Sequence, residues 1–167
     1  MCRQRKIEFF DRAQAPETSS GYALAIGWRW IIHDNPRLIT FHDSLLPRYR
    51  GFAPLPTALI NGDAEVGVTA LLASRKYDRG DIIAQRRLVL SYPVKVRQVI
   101  DSIAPLYAEL VTEIARIICS GAPLPTSPQN ESQASYPLCV TKTITALIGL
   151  KTLSQLNVLS MLLVTHT

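Results

Sequence analysis

Cysteine is scarce in this 167-residue chain: Cys2, Cys119 and Cys139 stand far apart with no C-x-x-C. That spacing excludes a disulfide framework and a thiolate zinc site, and it is the pattern of a reduced, cytoplasmic chain with no metal centre. There is no G-x-G-x-x-G, no P-loop and no G-x-S-x-G. A dinucleotide fingerprint, an NTPase and a hydrolase elbow are therefore without support. The start, Met-Cys-Arg-Gln-Arg-Lys, has no apolar core behind it, unlike a signal peptide. Lys142 and Lys151 interrupt the apolar C-terminal stretch, so no span of ~20 apolar residues is made and no membrane partner is expected. What remains is 47% hydrophobic and 19% charged with a net charge of +5. Such a chain is globular, with a mild positive field that suits an anionic small molecule or an RNA, and equally a solvated surface.

Apolar runs of strand length recur. Tyr22–Ile32 is nearly continuous, as in a strand buried on both faces. Leu38–Phe41, Val66–Ala73 and Asp81–Leu90 read as three further strands, and Leu55–Gly62 as a short helix closed by Asn-Gly. From Val94 to Cys119 apolar residues return at helical spacing, with Pro105 placed to kink or divide the helix and Gly121 to stop it. The chain divides into an atypical segment 1–21, a core 22–121, a Pro/Ser linker 122–138 and a tail 139–167. Strands alternating with helices argue for an α/β layered fold. Its opening strand and phosphate turn, normal for a doubly wound domain, are not seen.

Chemistry gathers around FHDSLLPRYRG, Phe41–Gly51. Ligands of open α/β sheets sit beyond the carboxyl ends of strands, and His42 is at such an end. A lone histidine more often bonds its own loop, and His33 and His166 have nothing beside them to raise them above that. His42 has a candidate partner in Asp78, set in the Gly-containing loop KYDRGDI between two strands. A carboxylate beside an imidazole fixes its tautomer and suits general acid/base work. Asp81 fits a turn cap. Ser44, two residues from His42 on an extended chain, lacks triad geometry and reads as a turn cap.

The segment from Phe41 to Gln85 resembles the catalytic core of the folate-dependent formyltransferase family. The resemblance rests on His42, Ser44-Leu45-Leu46-Pro47, Arg50-Gly51, Gly67-Val68-Thr69 and Asp78-Arg79-Gly80-Asp81, and it spans roughly residues 22–138. It implies a partial doubly wound, Rossmann-like α/β domain, with a mostly parallel sheet flanked by helices and the first strands missing. It also implies transfer of a formyl group from 10-formyltetrahydrofolate, the co-substrate, to a primary amine on a tRNA or a nucleotide sugar. His42 would be the general acid/base and Asp78 would orient it, with Asp78 and Gly80 on the folate side. Ser44, Arg48, Arg50 and Gly51 would face the acceptor, the two arginines attracting its negative charge. Thr40 stands where the family has an asparagine that holds the developing oxyanion. A hydroxyl is a shorter donor, and losing one such donor costs ~10²–10³ in rate, so little or no transfer is expected. The competing readings are a non-catalytic remnant and a formyltetrahydrofolate hydrolase. The oligomeric state is left open.

Residues 139–167 contain no Asp, Glu or Arg, and they read as an out-of-frame translation. One permitted coding of this tail, with a single base restored in its first codon, reads WRDEDDYRIDW and continues unbroken to its end. That string resembles the formyltransferase segment beyond the catalytic domain. Cys139 and His166 would then carry no function. The gene decides: bases after the Leu138 codon that permit this second frame are expected, and bases that forbid it make the tail genuine.

Overall fold

The computed structural model describes residues 21–27 and 37–137. Segment 1–20, residues 28–32 of the expected first strand, His33 and the tail lie outside the described residues; of the described part of that strand, only Ala23–Ala25 pairs as β1. The elements are β1 (Ala23–Ala25), β2 (Leu38–His42), α1 (Pro54–Ile60), β3 (Glu65–Leu72), β4 (Ile82–Val89) and α2 (Val96–Ser120), followed by a single 3-10 turn (Glu131–Gln133). The sheet order is β1-β2-β3-β4. None of the described helices is long and apolar enough to cross a membrane.

Alternation along β2 sets the architecture. Ile39 and Phe41 face a core shared with α2, which leaves Thr40 and His42 on the opposite face. The α2 residues Val99, Ile103, Leu110 and Ile114 repeat on one side of the helix and are buried against the sheet. Pro105 does not divide α2. Asp101, whose carbonyl loses its helical partner, and Pro105 are both exposed, so water meets the orphaned group. Gly121 ends the helix as expected, in the left-handed conformation at φ 73°.

The sheet is mixed rather than mostly parallel. β1 and β2 run parallel, but β3 is antiparallel to β2 and β4 to β3. Register explains the first reversal: His42 lies opposite Thr69 and Ile39 opposite Leu72, so β3 starts beyond the carboxyl end of β2. The turn and the short α1 keep the chain at that end. Residues 73–81 then join β3 to β4, too short a link for the crossover that parallel strands need.

The segment expected as a linker is part of the domain. After α2 the chain returns across the sheet edge, where Ser127 and Ile82 exchange backbone bonds of 2.9 and 2.8 Å. Further on, Ser135 accepts from the Arg50 N–H at 2.9 Å and donates to the Pro47 carbonyl at 3.2 Å. Arg50 is 1% exposed, and its guanidinium bonds Gln129 Oε1 (3.0 and 2.8 Å) and both Glu131 oxygens (2.9 and 2.8 Å). The role of attracting an acceptor is therefore not open to Arg50: its charge is spent inside the fold.

Two outcomes check this packing. Leu110→Ala removes a fully buried side chain and is expected to lower stability by ~2–5 kcal/mol. Ile100→Ala, on the exposed side of α2, should change it by about 0.5 kcal/mol or less. Urea midpoints at constant m-value measure both. The second concerns acid. Glu131 is held below the ordinary carboxylate range, first by its hydrogen bond from Arg50, with the charges of Arg50, Arg79 and Lys76 adding. Unfolded, it binds a proton at higher pH, so its stabilisation is complete above the ordinary value and fades as pH falls through the lowered one. Glu131→Gln should melt below the native chain at neutral pH, with the gap closing as pH falls from the ordinary carboxylate value through the lowered one. A gap constant across that range would contradict the ion pair.

Candidate active site

His42 ends β2 and is buried. Its Nε2 lies 2.8 Å from the Tyr49 carbonyl, which can only accept, so Nε2 carries the proton and donates it. That leaves Nδ1 as the nitrogen that takes up or releases a proton, and it faces Asp78 Oδ1 at 3.7 Å. The separation is too long for a direct hydrogen bond, and close enough for the carboxylate to balance an imidazolium. Asp78 Oδ2 in turn accepts the Gly51 N–H at 2.8 Å. The structure thus brings His42, Asp78 and Gly51 together at one strand end. Gly51 serves Asp78 through its backbone, and at φ 99° it adopts a conformation that favours glycine.

Local backbone makes these contacts possible. Tyr49 and Asp78 both sit in the left-handed region, at φ 58° and 53°. For tyrosine this is a costly conformation. Its surroundings hold it: the Tyr49 N–H donates to Ser135 Oγ at 3.0 Å and its hydroxyl accepts from Asn61 at 3.0 Å. The carbonyl is thereby aimed at His42. Gly80 has a packing reason for being glycine, because a Cβ there would fall on the Leu72 carbonyl.

The loop after His42 is anchored by residues that the sequence did not single out as polar anchors. Thr69, opposite His42, donates to the Ser44 carbonyl at 2.6 Å and accepts from the Leu46 N–H at 3.1 Å. Gln85, opposite Thr69, donates to Thr69 Oγ1 at 2.8 Å and to the Leu46 carbonyl at 2.9 Å. Gly67 leaves room for Leu45, whose side chain a Cβ would strike. Asp43 takes the Tyr107 hydroxyl from α2. Burial, then the Asp43 charge, pushes that phenol above its ordinary value. Strand register is the signal that would have found Thr69 and Gln85; Tyr49, Gln129, Glu131 and Ser135 offered none.

The other candidates separate. Ser44 donates to the Arg48 carbonyl at 2.6 Å, a turn cap whose hydroxyl proton is already used. Arg48 is half-exposed but pairs with Asp63 at 2.7 Å. Thr40 shares the His42 face of β2, and among the described residues no hydrogen-bond partner holds its hydroxyl. A proton carrier, a neighbouring carboxylate and an uncommitted hydroxyl donor suit transfer between two nitrogens at a carbonyl.

The family model described as formyl transferase matches residues 15–110. Methionyl-tRNA formyltransferase of Heliobacterium modesticaldum is 42% identical over 100 residues, covering 60% of this chain and 31% of that one. The enzyme of the same name from Cyanothece sp. is 42% identical over 109 residues, 64% of this chain and 32% of that one. The chain thus spans about a third of the length of these curated relatives. Among solved structures, the formyltransferase PseJ from Anoxybacillus kamchatkensis, in complex with UDP-4,6-dideoxy-4-formamido-L-AltNAc and tetrahydrofolate, superposes with a TM-score of 0.67 at 24% identity. That superposition covers 87% of this chain and 77% of PseJ, and it shows a shared fold. With 15–110 matched, more than half of its length, the chain belongs to the formyl transferase family.

Proposed function

We propose that this chain carries the proton-transfer site of an enzyme that moves a formyl group from 10-formyltetrahydrofolate to a primary amine. The observation that carries the reading is the free His42 Nδ1 facing Asp78 at 3.7 Å at the end of β2. When bound, the folate would supply an activated formyl carbonyl. The donor set fits that group. His42 Nδ1 accepts the proton that the attacking amine must lose, and Asp78 balances the charge it acquires. His42 then returns that proton to the folate nitrogen that leaves. One N–C bond forms, one breaks, and one proton moves between nitrogens. Thr40 offers its hydroxyl to the formyl oxygen as charge develops there.

Methionyl-tRNA is the first acceptor to test, since relatives about 40% identical bear that name and the chain is basic. An amino-sugar nucleotide is the second. Released tetrahydrofolate and formylated acceptor are measured together. Slow turnover by the native chain is expected. Thr40→Asn should raise kcat by up to ~10²–10³, and His42→Ala or Asp78→Asn should lower it by ~10²–10⁴. Formate released without an amine would make water the acceptor. Absence of product from both the native chain and Thr40→Asn, or turnover unchanged in His42→Ala, would contradict the proposal.

A further inference from the structure

Gln129 lies in the returning segment, far from His42 in sequence, yet its carboxamide is completely committed at the site. Nε2 donates to the Asp78 carbonyl at 2.9 Å and to the Gly80 carbonyl at 2.7 Å. Oε1 accepts from Arg50 Nε at 3.0 Å and Nη2 at 2.8 Å. Two donors and two acceptor sites are all that such a group has. We infer that Gln129 is a positioning residue for formyl transfer: its amide curls the 78–80 loop so that the Asp78 carboxylate meets His42 and Gly51. The inference rests on the proposed reaction for its catalytic consequence, but not for its geometry.

No other side chain reproduces this arrangement. Glutamate would keep the length and strengthen the Arg50 contact, but it would set a carboxylate against two carbonyl oxygens. A lysine or arginine would press a second cation on the buried Arg50. Methionine would leave two carbonyls without partners and leave Arg50 only its two bonds to Glu131. The loop has little margin. Asp78 is held in the left-handed region, and one of its oxygens is already fixed by the Gly51 N–H. The other reaches His42 at 3.7 Å. A displacement of about 1 Å of a positioned group costs ~10² in rate. The bonds from Gln129 therefore bear on the proton relay as well as on stability.

The test compares native chain, Gln129→Glu, Gln129→Met and Asp78→Asn. By NMR, the Gly51 amide proton of the native chain should lie downfield, as befits a donor to a carboxylate. In both Gln129 variants it should move most of the way to its Asp78→Asn position. In the formyl-transfer assay, Gln129→Glu should lower kcat by ~10²-fold and change KM for the formyl donor little, because the Gln129 carboxamide is already taken up by Arg50, Asp78 and Gly80. A Gly51 resonance that stays in place in a dispersed variant spectrum overturns the inference, as does an unchanged kcat. If neither the native chain nor Thr40→Asn turns over, the proposed reaction fails while the Gly51 shift still judges Gln129. If neither variant folds, the native chain decides. The two Gln129 side-chain amide protons should then be separately resolved and slow to exchange, and values averaged with those of exposed glutamines would overturn the assignment.

Discussion

A guanidinium cannot shed its charge in a protein, so burying Arg50 obliges the chain to bring acceptors to it. Four hydrogen bonds to Gln129 and Glu131 meet that demand. The consequence spreads in three directions. Residues 127–136 must return from the end of α2 and lie across the sheet edge. The 47–51 turn must face them, which sets the Tyr49 carbonyl that holds His42. The 78–80 loop must come close enough for its carbonyls to share the Gln129 amide. A buried ion pair seldom adds much stability compared with an apolar replacement, but losing one partner is costly because the other is left unpaired. Arg50 is thus better understood as fixing one arrangement of three loops than as a source of stability.

On this view the polar network and the reaction are two uses of one geometry. Thr69 and Gln85 hold the loop after His42 from the neighbouring strands. Tyr49 orients the ring from below, and Asp78 faces its free nitrogen. Apart from that free nitrogen and the oxygen facing it, these groups are held by hydrogen bonds, which suits a proton relay at a fixed distance. Thr40 is the exception. Its hydroxyl has no hydrogen-bond partner among the described residues, and it is the position where this chain departs from the asparagine that the family resemblance implies.

Much of this was legible in the sequence where a single period or a local pattern decides the outcome. The α2 stripe, the Gly121 stop, the β2 run ending in His42 and the turn-capping role of Ser44 all depend on neighbours close in the chain. The approach of Asp78 to His42 followed from strand-then-loop placement and the resemblance. What could not be read depends on pairing at a distance. The direction of β3 and β4 is fixed by where the connections run, which hydropathy does not encode. Arg50 looks like any surface arginine until its partners 79 and 81 residues away come into contact. Residues 122–137, rich in Pro and Ser, have a linker's composition but the hydrogen bonds of a domain edge. That α2 runs through Pro105 undivided was not legible either, because it depends on whether the freed carbonyl meets water.

The account turns on the returning segment and the site loops forming one unit around Arg50, and amide hydrogen exchange on the native chain tests this most directly. The backbone N–H groups of Arg50, Gly51, Ser127 and Ser135 all donate across these loops. The account predicts that they open together, with similar protection approaching that of β2 and β3, and that Arg50→Leu exposes all four at once. Contradiction would be a Ser127 and Ser135 that exchange like unstructured chain while Arg50 and Gly51 stay protected. The segment would then be a tether, and the geometry around His42 would owe nothing to it.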